Sequence, residues 1–143
     1  MIILDTNIVA ELLRPAPASS VEAWLAARDS ATVYFTTVGE AELRLGVAIL
    51  PAGRRRTALA QAIDEMLEED FRYRILAFDR AAARAYAAIA ADRRAAGRSI
   101  SQFDCQIAAI ARAHKAAVVT RNTSDYEGCG IEVIDPWRQA GSR

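Results

Sequence analysis

The chain has 143 residues, of which 52% are hydrophobic and 25% are charged, and its 18 basic and 18 acidic side chains leave no net charge. A chain of this length buries roughly two-thirds of its unfolded surface, so we expect one domain over residues 1–143 that needs neither disulfides nor structural zinc. We find no secretory signal and no apolar run long enough for a membrane span, which predicts a cytoplasmic protein. Cys105 and Cys129 stand outside any paired motif, as is usual in a reducing compartment.

Strand-like and helix-like patterns alternate along the chain. Strands are predicted at 2–4, 32–36, 75–78, 117–120 and 131–134, and helices at 7–13, from Ser19 or Ser20, at 39–50, through 59–67, from Asp79 to Gly97, and from Ser99 or Ser101 through Ile110. Strands separated by helices predict an α/β sandwich with a mostly parallel sheet. Sites in such folds lie at the carboxyl ends of the strands.

Three acidic residues occupy positions where the surrounding pattern predicts burial. Asp5 follows the apolar run of the first strand, and Glu42 lies on the margin of an apolar helical stripe. The helical period places Asp104 beside Phe103 and Ile107 on an inward face. A buried carboxylate loses hydration that a cation or several hydrogen-bond donors must replace, so these acids are candidates for a site.

Each acid also has a purely structural interpretation. It could cap a helix or pair with one of the many arginines, and Asp5 could cap the helix that starts near Asn7. If the three acids converge, their mutual repulsion raises their pKa values unless a divalent cation lies between them. The ions that suit such oxygen ligands are Mg²⁺ and Mn²⁺.

Polar residues follow two of the predicted strands. Thr6 and Asn7 come after the first strand, while Thr120, Asn122 and Asp125 come at and after the end of the fourth. Hydroxyl and amide groups of this kind can bind metal-bound waters or phosphate oxygens, and they are also common in ordinary strand-end turns.

Several common site types are excluded by the motifs that the chain lacks. The sequence has no phosphate-binding G-x-x-x-x-G-K-[ST], no G-x-G-x-x-G and no G-x-S-x-G. His114 is the sole histidine, which argues against a histidine-based triad or zinc site, and Cys105 is interpreted as a packing residue.

Four segments together identify a resemblance. The sequence resembles the PIN-domain ribonucleases, specifically the VapC toxins of toxin–antitoxin pairs and the similar FitB branch, through MIILDTNIVAELL, VGEAELRLG, SISQFDCQIAAIARAH and VVTRNTSDYEGCGIEVIDPW. These segments cover almost the whole chain in the family's order. The resemblance implies a PIN-like three-layer α/β sandwich, with a central mostly parallel sheet flanked by helices.

The resemblance also implies a set of metal ligands. The residues that match the family's acidic positions are Asp5, Glu42 and Asp104, which would coordinate Mg²⁺ or Mn²⁺. A fourth acid commonly follows T-R in the family, and here that position is Asn122. Either the Asn122 carbonyl oxygen or the carboxylate of Asp125 could take that role, which leaves open whether one or two metal ions bind.

The activity implied by the resemblance is metal-assisted hydrolysis of single-stranded RNA, which leaves a 5′-phosphate and a 3′-hydroxyl. Thr6 and Thr120 would support the ligands, and Arg121 and Arg98 would guide the RNA backbone. The implied partners are a second copy of the chain and a VapB/FitA-like antitoxin, in a heterotetramer or a larger assembly. The antitoxin's C-terminal segment would fill a groove among the early helices, where Trp24 either lines the groove or packs in the core.

Two other functions are compatible with the same residues. Asp5 could act as the nucleophile of a phosphoryl-transfer enzyme, although the second acid of a D-x-D pair is replaced by Asn7. Alternatively, the domain could be a non-catalytic or degenerate PIN-like interaction module whose acids hold a structural ion. Asn122 is the feature that favours this second alternative.

Overall fold

A five-stranded parallel sheet forms the centre of the chain, in a computed structural model that describes residues 1–139. The strand order is β3-β2-β1-β4-β5, and every pairing is parallel. The predicted α/β fold is therefore confirmed, and residues 140–143 of the predicted domain lie outside the described residues. The strands are β1 (Ile2–Leu4), β2 (Val33–Thr36), β3 (Ile75–Leu76), β4 (Ala117–Val119) and β5 (Val133–Ile134).

Helices cover both faces of this sheet. Most begin at a polar cap: Asp79 accepts the Ala82 amide at 3.0 Å and Thr36 accepts the Gly39 amide at 2.9 Å, which satisfies main-chain donors of the first turn. No helix within residues 1–139 has both the length and the apolar composition needed to cross a bilayer. The helices are α1 (Thr6–Leu12), α2 (Ser19–Ala26), α3 (Thr37–Ala48), α4 (Arg54–Glu65), α5 (Arg80–Ala95), α6 (Gln102–Ala113) and α7 (Pro136–Gln139).

The differences from the predicted elements lie mainly at element ends. The second to fifth strands are shorter than predicted, α4 ends in a π-helical turn (Met66–Asp70), and both α7 and a 3-10 helix (Thr123–Tyr126) were not predicted. Ends of this kind depend on packing between distant segments, so a local apolar pattern does not determine them.

Two hydrophobic cores lie on opposite faces of the sheet. Neighbouring residues of β1 point to opposite faces, so Ile3 belongs to the core under α5 and α6, while Leu4 belongs to the core under α1 to α4. Ile107 is fully buried as predicted, but the prediction for Phe103 is wrong, because its side chain is 43% exposed. Phe103 lies in the first turn of α6, before the buried residues of that helix, which are Cys105 and Ile107 to Ala111.

Close packing of α3 on β2 depends on a glycine. A Cβ atom at Gly39 would lie 2.4 Å from Cε1 of Phe35, so any larger residue would force the helix away from the strand. Gly39 is in the first turn of α3, one turn before Glu42.

Candidate active site

Asp5 lies at the carboxyl edge of the sheet and is almost fully buried. It follows β1 and caps α1, with Oδ1 accepting the Thr6 amide at 2.8 Å. Its Oδ2 accepts the hydroxyl of Thr120 at 2.8 Å, across from the end of β4. The carboxylate is only 6% exposed, so it combines the predicted capping role with the predicted burial.

The polar residues at the two strand ends hold Asp5 in place. The Asn7 amide Nδ2 donates to Thr120 Oγ1 at 3.1 Å and lies 3.4 Å from Asp5 Oδ2. The main-chain amides of Arg121 and Asn122 in turn donate to Asn7 Oδ1 and Thr120 Oγ1. Thr6, Asn7 and Thr120 therefore each contact Asp5 or Glu42.

Glu42 reaches the same edge from the neighbouring helix α3. The hydroxyl of Thr6 donates to Glu42 Oε1 at 2.6 Å. Thr6 therefore contacts two of the predicted acids, since its main-chain amide donates to Asp5. Glu40 points elsewhere, as predicted, and pairs with Arg44 at 2.8 Å. Glu42 therefore lies at the sheet edge with Thr6, while Glu40 lies in an ion pair with Arg44.

Asp104 is connected to Asp5 through Tyr126, a residue that no sequence pattern singled out. The phenol of Tyr126 is buried and donates to Asp104 Oδ1 at 3.4 Å, and it also interacts with Asp5. Ser101 caps α6 through the Asp104 amide at 3.1 Å. In the sequence, only its position after β4 could have pointed to Tyr126 as a site residue. Its burial depends on tertiary packing, which no local pattern shows.

Burial and mutual repulsion disfavour the charged forms of these acids. Burial, with a smaller contribution from Asp104, raises the pKa of Asp5 to about 6, although the hydrogen bonds from Thr120 and Thr6 lower it. Burial and then Asp104 also raise the pKa of Glu42. The pKa of Asp104 is raised by burial and, in addition, by the negative charge of Asp125. The acids therefore form one electrostatically coupled cluster, which we call the acid cluster: Asp5, Glu42, Asp104 and Asp125.

The acid cluster fits a divalent cation in its chemistry but not as a preformed cage. Carboxylate oxygens whose negative charges repel each other are the ligands that Mg²⁺ and Mn²⁺ prefer. Within residues 1–139, however, no three histidine, cysteine, aspartate or glutamate side chains are arranged closely enough to hold a metal ion. The fit is therefore one of ligand type and charge.

The remaining predicted residues lie around this cluster. Asn122 and Asp125 are exposed at the start of and within the 3-10 helix that follows β4. The guanidinium of Arg121 lies 4.6 Å over the ring of Trp137, and Arg98 pairs with Glu127 at 2.7 Å. Both predicted RNA-binding arginines are exposed, and each already contacts a protein group.

An apolar groove of about 470 Å³ lies on the other face of the sheet, between the early helices and the π-helical turn. Trp24 does not line it: this side chain is buried in the core, with the guanidinium of Arg28 over its ring at 4.0 Å. The apolar wall of the groove consists of Leu4, Leu12, Leu13, Leu25, Val33, Met66 and Phe71, and charged residues at its rim include Arg28, Glu65, Glu69, Asp70 and Arg74.

Comparison with known proteins places this arrangement in a family. Residues 2–127 match the PIN domain. The chain is 40% identical over 140 residues to VapC ribonuclease Y4jK of Sinorhizobium fredii, covering 98% of this chain and 100% of that protein. It is 39% identical over 137 residues to toxin FitB of Neisseria gonorrhoeae, covering 96% of this chain and 99% of that protein.

A solved structure agrees with the sequence matches. The crystal structure of FitAcB from Neisseria gonorrhoeae superimposes with a TM-score of 0.89 at 39% identity, covering 96% of this chain and 99% of that chain. A structure of FitAB bound to a DNA fragment gives the same TM-score at 38% identity, with 96% of each chain covered. This chain therefore belongs to the PIN-domain family, within the group of VapC- and FitB-like toxins of toxin–antitoxin systems.

Proposed function

We propose that this chain is a Mg²⁺- or Mn²⁺-dependent endoribonuclease that hydrolyses phosphodiester bonds of single-stranded RNA as the toxin of a VapBC-type pair. The observation that supports this most directly is the convergence of Asp5, Glu42 and Asp104 from three separate elements at one sheet edge. A relative that shares 40% of its sequence over its full length is named a VapC ribonuclease. A nuclease uses such acids to hold a cation beside the scissile phosphate.

The ligands of the proposed cation are Asp5, Glu42 and Asp104, with Asp125 as the fourth acid in place of Asn122. When bound, Mg²⁺ or Mn²⁺ would supply a Lewis acid for the phosphate and lower the pKa of a water molecule. Burial and mutual repulsion raise the pKa values of Asp5, Glu42 and Asp104, which supports this assignment, because a cation would relieve the repulsion.

The chain's own polar residues orient these acids. Thr6 holds one oxygen of Glu42, and Thr120, itself bonded to Asn7, holds Oδ2 of Asp5. Burial and the nearby negative charges of Asp5 and Asp104 raise the pKa of Tyr126, so its phenol stays protonated and remains a hydrogen-bond donor to the cluster. Fixed donors keep the carboxylates from turning away, which lowers the cost of organising the site.

The RNA backbone would be held by arginines outside the acid cluster. Arg121 and Arg98 are exposed, and guanidinium groups bind phosphate oxygens through paired donors. The stack of Arg121 on Trp137 also offers a flat surface beside the strand end, of the kind on which unpaired bases stack.

The apolar groove is the proposed site for a VapB/FitA-like antitoxin. Chains similar to this one have been solved within FitAB, bound to a DNA fragment, and within VapBC-5 of Mycobacterium tuberculosis, a member of the VapBC family of toxin–antitoxin systems. The groove's apolar wall suits the nonpolar side of an antitoxin's C-terminal segment, and Leu4 in that wall directly precedes Asp5. We propose a homodimer of this chain as the unit that binds the antitoxin.

One alternative retains a specific observation. Asn122, where the family commonly has an acid, weakens the ligand set and would suit a degenerate, non-catalytic module. Phosphoryl transfer through Asp5 is less well supported, because both of its oxygens accept hydrogen bonds and are buried, which leaves a poor nucleophile.

The test uses the purified chain, freed of antitoxin, with a panel of labelled single-stranded RNAs. We expect cleavage in Mg²⁺ or Mn²⁺, none in EDTA, and at least about a hundredfold slower cleavage by Asp104→Asn, a loss of about 2.7 kcal/mol in transition-state stabilisation. Asp92→Asn, an exposed aspartate of α5, is the matched control and should cleave normally. Undiminished cleavage by Asp104→Asn would refute the site, and metal binding without cleavage of any RNA would favour the non-catalytic module.

A further inference from the structure

Arg93 is a buried cation whose three hydrogen bonds go to main-chain carbonyls rather than to a carboxylate. It lies in the last turns of α5 and is only 6% exposed. Its Nε donates to the carbonyl of Arg98 at 3.2 Å, its Nη1 to that of Glu127 at 2.5 Å, and its Nη2 to that of Ser99 at 2.8 Å. Burying a guanidinium is costly, so these bonds must compensate for substantial lost hydration.

The three carbonyls belong to two segments that are far apart in sequence. Arg98 and Ser99 lie in the connection that leads to α6. The cap of this helix, Ser101, comes three residues before Asp104. Glu127 directly follows the 3-10 helix that contains Asp125 and Tyr126. Arg93 therefore joins, through one planar group, the two segments that bring Asp104, Asp125 and Tyr126 to the acid cluster.

We propose that Arg93 is a positioning residue that sets the separation between Asp104 on one side and Asp125 and Tyr126 on the other. This inference rests on the proposed function, because it concerns the affinity of the acid cluster for a divalent cation. Arg93 touches neither the reacting atoms nor a substrate. It acts through the main chain of the two segments, and nothing in its role requires a change of protonation.

A second contact between the same two segments provides a control. The Arg98–Glu127 ion pair joins the same two segments at 2.7 Å, but its side chains are 45% and 60% exposed. Exposed ion pairs contribute little, because water and salt screen them and ordering long side chains costs entropy. If Arg93 sets the geometry, Glu127→Gln, which removes this ion pair and keeps the main-chain carbonyl, should leave the two segments in place.

Two Arg93 variants separate geometry from charge. Arg93→Lys keeps the positive charge, but a single ammonium group lacks the planar fork that reaches all three carbonyls. Arg93→Met keeps similar length without charge. We expect both variants to bind Mn²⁺ about 10- to 100-fold more weakly in calorimetric titration, the usual effect of losing a group that orients metal ligands. Glu127→Gln should bind Mn²⁺ within about threefold of the unchanged chain.

Hydrogen exchange provides a readout that does not depend on the metal. In Arg93→Lys, the amides of Arg98, Asp104 and Cys129, which are hydrogen-bonded at the two segments, should exchange faster together. Amides of β1 and β4 should keep their protection, which distinguishes local loosening from general destabilisation. If Arg93→Met does not fold, Arg93→Lys alone carries the test.

The outcomes separate this inference from the proposed function. Unchanged Mn²⁺ affinity and exchange in Arg93→Lys would overturn the positioning role, since charge alone would then suffice. If the unchanged chain binds no Mn²⁺, the proposed metal-dependent function fails. In that case the exchange comparison still decides the matter: protection lost from both segments supports the role of Arg93, and protection kept overturns it.

Discussion

The acid cluster and the apolar groove meet at two neighbouring residues, Leu4 at the end of β1 and Asp5 directly after it, but burial has opposite effects in the two regions. Leu4 lines the groove, and the next residue, Asp5, is the most buried member of the acid cluster. In the groove, apolar surface is exposed to water, so covering it with an apolar partner lowers the free energy. In the cluster, burial raises the pKa values of carboxyl groups and so disfavours their charged forms.

This contrast has consequences for mutation. Changes in the cluster should affect metal binding and cleavage, while changes in the groove should affect partner binding and leave cleavage intact. The two regions share the end of β1 and the helix α1, whose first residues contact the acids and whose last residue, Leu12, lines the groove. A substitution at Leu25 of α2 or at Glu42 of α3 borders only one of them. The effects of mutation in the two regions should therefore be separable, and the largest is expected in the acid cluster.

Glu42→Gln should slow RNA cleavage at least about a hundredfold, equivalent to about 2.7 kcal/mol. The amide removes a negative charge from the proposed ligand set while it can still accept the Thr6 hydroxyl. Glu40→Gln is the matched control, because Glu40 lies on the same helix but pairs with Arg44. Cleavage rates of the two variants at saturating Mn²⁺ make the comparison, and equal rates would exclude Glu42 from the site.

Leu25→Ala should weaken binding of the cognate antitoxin by about 10- to 100-fold, the effect of losing about 1.5–3 kcal/mol of apolar burial. Leu25 lines the groove, whereas Leu45 of α3 is 55% exposed and outside it. Leu45→Ala is therefore the same chemical change at a position outside the groove. Titration calorimetry gives the affinities, and a parallel cleavage assay should show normal activity for both. Equal loss of affinity in the two variants would argue against the groove.

Asp5→Asn should stabilise the metal-free protein by about 1–2 kcal/mol at pH 8. The raised pKa of Asp5 corresponds to about 3 kcal/mol, and part of this gain is lost because the new amide nitrogen cannot accept the Thr120 hydroxyl as Oδ2 does. The folded chain raises the pKa of Asp5 from 3.8 to about 6, so the folded state binds this proton more tightly than the unfolded chain does. The contribution of Asp5 to stability is therefore fully present below about pH 4 and is lost as the pH rises through about 6. The advantage of the variant should accordingly disappear near pH 4.

Urea unfolding in EDTA at pH 4 and pH 8 measures this difference. Asp29→Asn is the control, because Asp29 caps the short 3-10 helix Ser30–Thr32, through the Ala31 amide at 3.0 Å, but is exposed. A stabilisation of Asp5→Asn that is equal at both pH values would show that burial of the charge is not its cause.

The contrast between the two regions also explains how far the sequence could predict them. Asp5, Glu42 and Asp104 were selected because an acid in an apolar pattern is a local anomaly, and the structure brings them to one edge. The groove depends on the relative placement of several helices. Trp24 accordingly packs in the core rather than in the groove wall.

The sequence by itself determined the order of strands and helices, the parallel sheet and the carboxyl edge as the place of the acids, because periodicity and capping are local properties of the chain. Only the tertiary structure decided that Tyr126 bridges Asp104 and Asp5 and that Arg93 joins two distant segments. Exposure of Phe103 was likewise a tertiary outcome. These contacts join residues far apart in sequence, so their free energy depends on packing that no local pattern records.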